Sequence, residues 1–339
     1  MQIAERRIME KREILKGVTV IDLFSGIGGF HLAFSAFGAK VIYASEWDKD
    51  AVEVYEKNFK IKPEGDITKI DAASIPDHDI LCAGFPCQAF SISGKKEGFN
   101  DSRGTLFFDV ARIVKEKQPK IVFLENVKNL EGHDNGRTLK VIISTLKELG
   151  YEPYYKVLNA SDYNVPQSRQ RIYIVAFRND LTEYAFDFPK PIKLKRHVKD
   201  ILLPDEETTK YIINRSDVCM KSGYIEEETN KPLRIGIVNK GGQGERIYSP
   251  YGTAITLSAY GGGAGAKTGL YKINGVIRKL APRECARLMG FPDKYKIAEN
   301  DNVAYKQFGN SVVVDVLRAI ISEITKDERI LKWLKAVQK

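Results

Sequence analysis

The chain has 339 residues, 43% of them apolar and 29% charged, enough to bury a sizeable core in one large domain or two unequal ones. Fifty-three Lys and Arg against 44 Asp and Glu leave a formal charge of +9, which favours a polyanionic partner. No apolar stretch nears the roughly eighteen residues that span a bilayer, and residues 1–16 lack an apolar signal core, so a cytoplasmic protein with no membrane partner is expected.

Cys82, Cys87, Cys219 and Cys285 form no C-x-x-C pair and the four histidines stand alone, so neither a metal site nor a disulfide framework is expected.

Residues 18–24 read as a buried strand that Ser25-Gly26-Ile27-Gly28-Gly29-Phe30 turns into a helix. A dinucleotide fingerprint needs glycine where His31 stands, which weakens an NAD reading. After a second strand, 41–44, Glu46 and Trp47 fall where the ribose hydroxyls and base of a nucleoside would lie. Gly65-Asp66-Ile67 follows a third short apolar segment and places another carboxylate at an expected strand end.

The run Asp79-Ile80-Leu81-Cys82 has strand length and leads into Gly84-Phe85-Pro86-Cys87-Gln88-Ala89-Phe90-Ser91. Cys87 is thereby expected on a loop beyond the carboxyl end of a strand, where open α/β sheets place their ligands. A helix over 105–117 and a strand over 121–124 follow, the latter ending in Glu125-Asn126-Val127. Next come a helix over 139–149, an extended stretch over 153–159, and Gln167-Ser168-Arg169-Gln170-Arg171 before a strand over 172–177. Strand spacing predicts that Arg169 and Arg171 point to one side.

From about residue 179 turn signals multiply and a smaller domain is expected to begin. In it Gln243 and Arg246 follow a glycine loop, and Thr256, Ser258 and Tyr260 alternate before the next one; Arg and Gln are side chains that read guanine and adenine edges. Residues 283–292 read as a short helix whose Arg and Glu brace a junction, and 307–312 as a glycine turn into an amphipathic helix over 313–324. Singly these signals are weak, since a free cysteine is mostly buried and inert and an isolated acid mostly solvated.

In series, 22–30, 84–91, 125–127, 167–171, 283–292 and 307–312 resemble the ordered motifs of the DNA cytosine-5 methyltransferases, over nearly the whole chain. Residues 240–247 and 255–263 are similar to recognition segments of the HhaI-type branch, which reads GCGC, while Pro250-Tyr251 and Ala264-Gly265 depart from it. The resemblance implies an α/β fold: an S-adenosylmethionine-dependent methyltransferase (Rossmann-like) mixed sheet with a second, smaller target-recognition domain and a DNA cleft between them. The expected boundaries are 1–185 with 304–339 for the catalytic domain and 186–303 for the small one.

It further implies that Cys87 adds to C6 of a cytosine turned out of double-stranded DNA, that Glu125 holds N3 and the amino group, that Arg169 reaches O2, and that Arg171 supports them. No dedicated base for the C5 proton stands out. The cofactor, leaving as S-adenosylhomocysteine, is expected against Phe24, Gly26, Gly28, Glu46, Trp47, Asp66, Ile67, Pro86, Leu106 and Asn310. DNA contacts are expected from Gln88, Ser91, Ser93, Gln243, Arg246, Thr256, Tyr260 and Gly262. A monomer working beside a cognate restriction endonuclease is implied. The competing readings are a tRNA cytosine-5 methyltransferase, an inactive DNA-binding module and an NAD oxidoreductase.

Overall fold

The computed structural model describes residues 13–86, 106–181 and 185–336. The chain divides into two compact units, Met1–Leu158 with Gln170–Pro189 and Arg318–Lys339, and Asn159–Arg169 with Lys190–Leu317.

The first unit is built on a six-stranded sheet of β1 (Thr19–Leu23), β2 (Lys40–Ser45), β3 (Ile80–Ala83), β4 (Ile121–Val127), β5 (Tyr151–Asn159) and β6 (Gln170–Arg178), in the order β2-β1-β3-β4-β6-β5. β1 pairs in parallel with β2 and β3, and β3 with β4, while β6 runs antiparallel to β4. The chain moves from β1 to one side for β2 and to the other for β3. That reversal opens a crevice at the carboxyl ends of β1 and β3, the usual ligand position in such sheets.

The central strands β1, β3, β4 and β6 read as largely apolar runs because they are buried on both faces, whereas the edge strand β5 carries exposed polar positions. Ile21, Leu81, Val122 and Ile174 lie in one core with residues of α3 (Leu106–Lys117) and α4 (Arg137–Glu148). α3 forms because Phe107, Val110, Ala111 and Val114 recur at helical spacing and are buried together. Before it come α1 (Gly29–Ser35) and α2 (Lys49–Phe59). Asp48 starts α2 by accepting from the backbone N–H groups of Asp50 and Ala51, and Lys60 ends it at φ 60°.

The segment before Gly65 is not the strand that was expected. Pro63 removes a donor, Glu64 makes only an isolated bridge with Ser45, and Ile67–Lys69 is a short 3-10 turn.

The second unit holds a five-stranded sheet in the order β11-β10-β9-β8-β7, from β7 (Cys219–Met220), β8 (Arg234–Ile237), β9 (Arg246–Tyr248), β10 (Leu270–Ile273) and β11 (Val276–Arg278). A small core of Ile235, Val238, Ile247 and Leu270 lies on it. Its helices include α5 (Pro282–Leu288) and α6 (Asp301–Asn310).

Glu284 of α5 is fully buried and pairs with Arg278 through two contacts of 2.8 Å, while accepting from the N–H groups of Ala281 and Leu203. Gly309 lies inside α6 rather than in a turn: a Cβ there would stand 2.6 Å from Ala259 Cα, so glycine admits the backbone of 258–259. Among the described residues no helix is long and apolar enough to cross a membrane.

Candidate active site

Where β1 ends, Phe24, Gly26 and Gly28 all take positive φ, at 52°, 52° and 80°. At Gly28 a Cβ would overlap the Phe59 ring, 2.8 Å from Cζ, so only glycine fits there. Gly26 N–H donates to Glu46 Oε2 at 2.8 Å, and the N–H groups of Trp47 and Asp48 donate to Oε1 at 2.9 and 2.8 Å. The carboxylate at the end of β2 therefore ties down the turn after β1. With three of about four lone-pair sites used, it keeps one acceptor for a hydroxyl. Burial raises the pKa of Glu46, and the three N–H groups oppose the rise.

Trp47 leaves its ring 78% exposed beside this carboxylate. Ser45 Oγ donates to Gly65 O at 2.8 Å and Glu46 N to Glu64 O at 2.8 Å, which brings the Asp66 loop to the same strand end. Asp66 accepts from Thr68 N and Oγ1 at 3.1 and 2.8 Å, and the Thr68 hydroxyl is the chief cause of its lowered pKa. Ile67 is buried next to it. Pro86 is exposed beyond β3, Leu106 opens α3, and Asn310 closes α6 in the second unit.

Asn126 joins the next two strands. Its Nδ2 donates to Phe85 O at 2.7 Å and its Oδ1 accepts from Val127 N at 2.8 Å, fixing the 84–86 segment against the end of β4. Cys87, Gln88, Ser91 and Ser93 lie outside the described residues. Glu125 faces Tyr173 in register and Arg171 faces Val127, so Glu125 and Arg171 are diagonal neighbours on one sheet face. Arg171 Nε stands 3.2 Å from Glu125 Oε1, with both side chains largely buried.

Arg169 does not share that face. β6 begins at Gln170, and Arg169, 2% exposed, belongs to the second unit. Its guanidinium donates to Leu257 O and Gly309 O at 3.0 Å and to Ser311 O at 2.7 Å, so it cross-links backbone segments. Burial forces this arrangement, since a desolvated guanidinium must place its N–H donors on acceptors.

Among the described cysteines, burial raises the thiol pKa of Cys82 and Cys285 well above the usual range, which leaves them inert. Burial likewise raises Asp22, in the middle of β1, against the opposing pull of the His31 backbone N–H and with Glu46 adding to the rise. Local sequence pattern alone gives Asn126 and Asp22 no role. The available signal was an acid or amide inside an otherwise apolar strand.

In the second unit Gln243 lies in a 3-10 turn and Arg246 opens β9. Gly265 N–H donates to Gly244 O at 2.7 Å, and a Cβ on Gly263 would lie 3.0 Å from that oxygen, so two glycine loops abut. Residues 254–260 form no continuous strand, yet Leu257 and Ala259 are buried while Thr256 and Tyr260 face outward. Thr256 Oγ1 donates to Ser168 O at 2.6 Å, Tyr260 is 73% exposed, and Gly262 faces open space.

The family model for C-5 cytosine-specific DNA methylases matches residues 18–326. The chain belongs to that family. The methylase is 62% identical to the type II methyltransferase M.HhaI of Haemophilus parahaemolyticus over 314 residues, covering 93% of this chain and 96% of the relative. With the type II methyltransferase M.SsoII of Shigella sonnei it shares 46% identity over 310 residues, 90% of this chain and 79% of the relative. The crystal structure of the S. pombe Dnmt2 methyltransferase superposes with a TM-score of 0.70 at 21% identity, covering 90% of this chain and 97% of that one. The architecture is thus the α/β S-adenosylmethionine-dependent methyltransferase fold, and the methylase transfers a methyl group from S-adenosylmethionine to C5 of cytosine in DNA. An NAD oxidoreductase is excluded by this membership.

Proposed function

We propose that the protein methylates a cytosine rotated out of duplex DNA within GCGC, as the modification arm of a type II restriction-modification system. It would act in the cytoplasm as a monomer, beside a cognate endonuclease. The observation that carries the chemistry is the Glu125–Arg171 pair beside the Asn126-anchored segment that leads into Cys87. The 62% identity to M.HhaI supports the choice of GCGC.

Stacked cytosine hides C6, so the base must leave the helix at a cost of a few kcal/mol. The Cys87 thiolate then forms a bond to C6, and the ring electrons move to C5 and N3. Glu125 holds N3 and the exocyclic amine. Arg171, beside it, takes the O2 side, and fixed donors of this kind contribute on the order of 3 kcal/mol to a transition state. Arg169, spent on three carbonyls, instead positions the backbone around Leu257 and Gly309.

The residues present fit the cofactor: Glu46 keeps one acceptor for a ribose hydroxyl, Trp47 offers an exposed ring for adenine, and Gly26 leaves open space beside the turn. When bound, S-adenosylmethionine supplies an electrophilic methyl group. Once C5 carries that methyl, loss of the C5 proton lets the C6–S bond break, and Cys87 is regenerated.

Two duplexes test the reading, one with GCGC and one with the site scrambled but other CG steps kept, each incubated with labelled S-adenosylmethionine. Label confined to the GCGC duplex is expected; label in both discards the specificity and directs attention to Pro250-Tyr251 and Ala264-Gly265. Cys87→Ala should abolish transfer while cofactor binding persists, and loss of both together would remove Cys87 from its role.

A further inference from the structure

A cavity of about 770 Å³ lies wholly within the second unit, and Arg246, expected to read a base edge, is on its wall. Three other cations share the wall: Lys193, Lys231 and Arg234, all exposed. They come from separate stretches of chain, the 190–195 strap and the approach to β8, so the fold rather than local sequence gathers them. Asp162 is the one carboxylate in the lining.

Elsewhere in this unit several cations are paired with carboxylates. Lys199 meets Glu228 at 2.8 Å, Lys210 meets Asp301 at 3.0 Å, Arg215 meets Asp217 at 2.6 Å, and Arg287 meets Asp293 at 2.8 Å. Lys193, Lys231, Arg234 and Arg246 stand in no ion pair among the described residues. Like charges gathered around one hollow repel one another, and a polyanion relieves that repulsion while releasing its own counterions.

We propose that Lys193, Lys231 and Arg234 form a seat for the DNA sugar-phosphate backbone alongside the bases read by Arg246. This rests on the DNA-methylating reading and adds to it a division of labour within one cavity. Arg246 discriminates, and the other three hold the duplex in register without reading it, because phosphate contacts carry no sequence information. The cavity exceeds the size of a single phosphate, which suits a stretch of backbone. Lysines on flexible stems suit phosphates approached as point charges, and the Arg234 fork can bridge two phosphate oxygens.

The test is the salt dependence of binding by the full-length protein, measured by fluorescence anisotropy with the GCGC duplex and its scrambled counterpart. In the triple variant Lys193→Gln, Lys231→Gln, Arg234→Gln, the slope of log affinity against log salt should fall by about 2 to 3, roughly 0.9 for each lost phosphate contact. Affinity should drop by the same factor on both duplexes. Lys193→Arg with Lys231→Arg should keep the wild-type slope. An unchanged slope in the triple variant would overturn the proposal, as would a loss confined to the GCGC duplex, which would make these residues base readers. A wild-type protein with no salt-dependent affinity for either duplex would instead defeat the DNA reading itself, so the two failures are distinguishable. Because the three residues are exposed, matched unfolding curves are expected; a variant that fails to fold would show that the residues support the fold, against the proposal.

Discussion

Arg169 and Arg171 are two residues apart and identical in type, and the structure predicts different consequences for their loss. Arg169 is buried and makes three hydrogen bonds of 2.7 to 3.0 Å to the carbonyls of Leu257, Gly309 and Ser311. A hydrogen bond to a charged group contributes about 1.5 to 3 kcal/mol. Truncation to Met also relieves the burial of a cation, and with three carbonyls left unsatisfied the net cost is expected at about 3 to 5 kcal/mol. That is a large part of a total stability of about 5 to 15 kcal/mol. Arg171 pairs with Glu125 at the end of β4 and the start of β6, and its loss takes the cation away from a largely buried carboxylate, so Arg171→Met should cost some stability too, but its larger effect should be to lower kcat by roughly 100- to 1000-fold. Urea unfolding followed by tryptophan fluorescence, together with single-turnover methylation on the GCGC duplex, separates the two effects. If Arg169→Met keeps wild-type stability and loses turnover, while Arg171→Met does the reverse, the assignment of roles is refuted.

Three other outcomes follow from buried groups. Burial holds His31 down to about 4, where it stacks on Phe59 and bonds Tyr55 at 2.8 Å. Its neutral form is thus the folded form, and the unfolded state binds more protons between pH 6.5 and 4. Stability from this group is present above pH 6.5 and falls by about 3 kcal/mol as pH drops towards 4. His31→Gln should flatten that part of the urea-midpoint profile, with His78, also held down to about 4, keeping the rest; parallel profiles would contradict this.

Asp22 has the opposite sign. With its pKa raised well above the usual value by burial, it favours the folded state when protonated, and that contribution is lost as pH rises through the folded pKa. Asp22→Asn should therefore gain most against wild type at pH 8 and least at pH 4 in the same assay, and an equal gain at both would remove the argument. Gly309→Ala should cost about 1 to 3 kcal/mol by overpacking against the 258–259 backbone. A wild-type denaturation midpoint would show that α6 can yield there.

Much of the first unit was legible in the chain, because parallel strands buried on both faces announce themselves as apolar runs and their carboxyl ends as glycine turns and acids. Glu46, Trp47 and Glu125 could be placed from that pattern alone, and the structure adds the bonds that fix them. His31 was visible as a break in the dinucleotide fingerprint. Its role as packing against Phe59 was not, since Phe59 lies a whole βα unit away.

The second unit was harder to read. Its strands are short, its core is small, and its glycine loops hold their shape through contacts between distant segments, such as Gly244 with Gly265.

The sequence by itself determined the family, through motifs that match in order along the chain, and the order of the βα units, because residue type and local periodicity carry that information. Tertiary structure alone decided which of two arginines stands beside Glu125, why Gly309 must be glycine, and which cations gather around one cavity. Each of these depends on burial and on partners far away in sequence, and no local pattern encodes where a guanidinium finds its acceptors once water is removed.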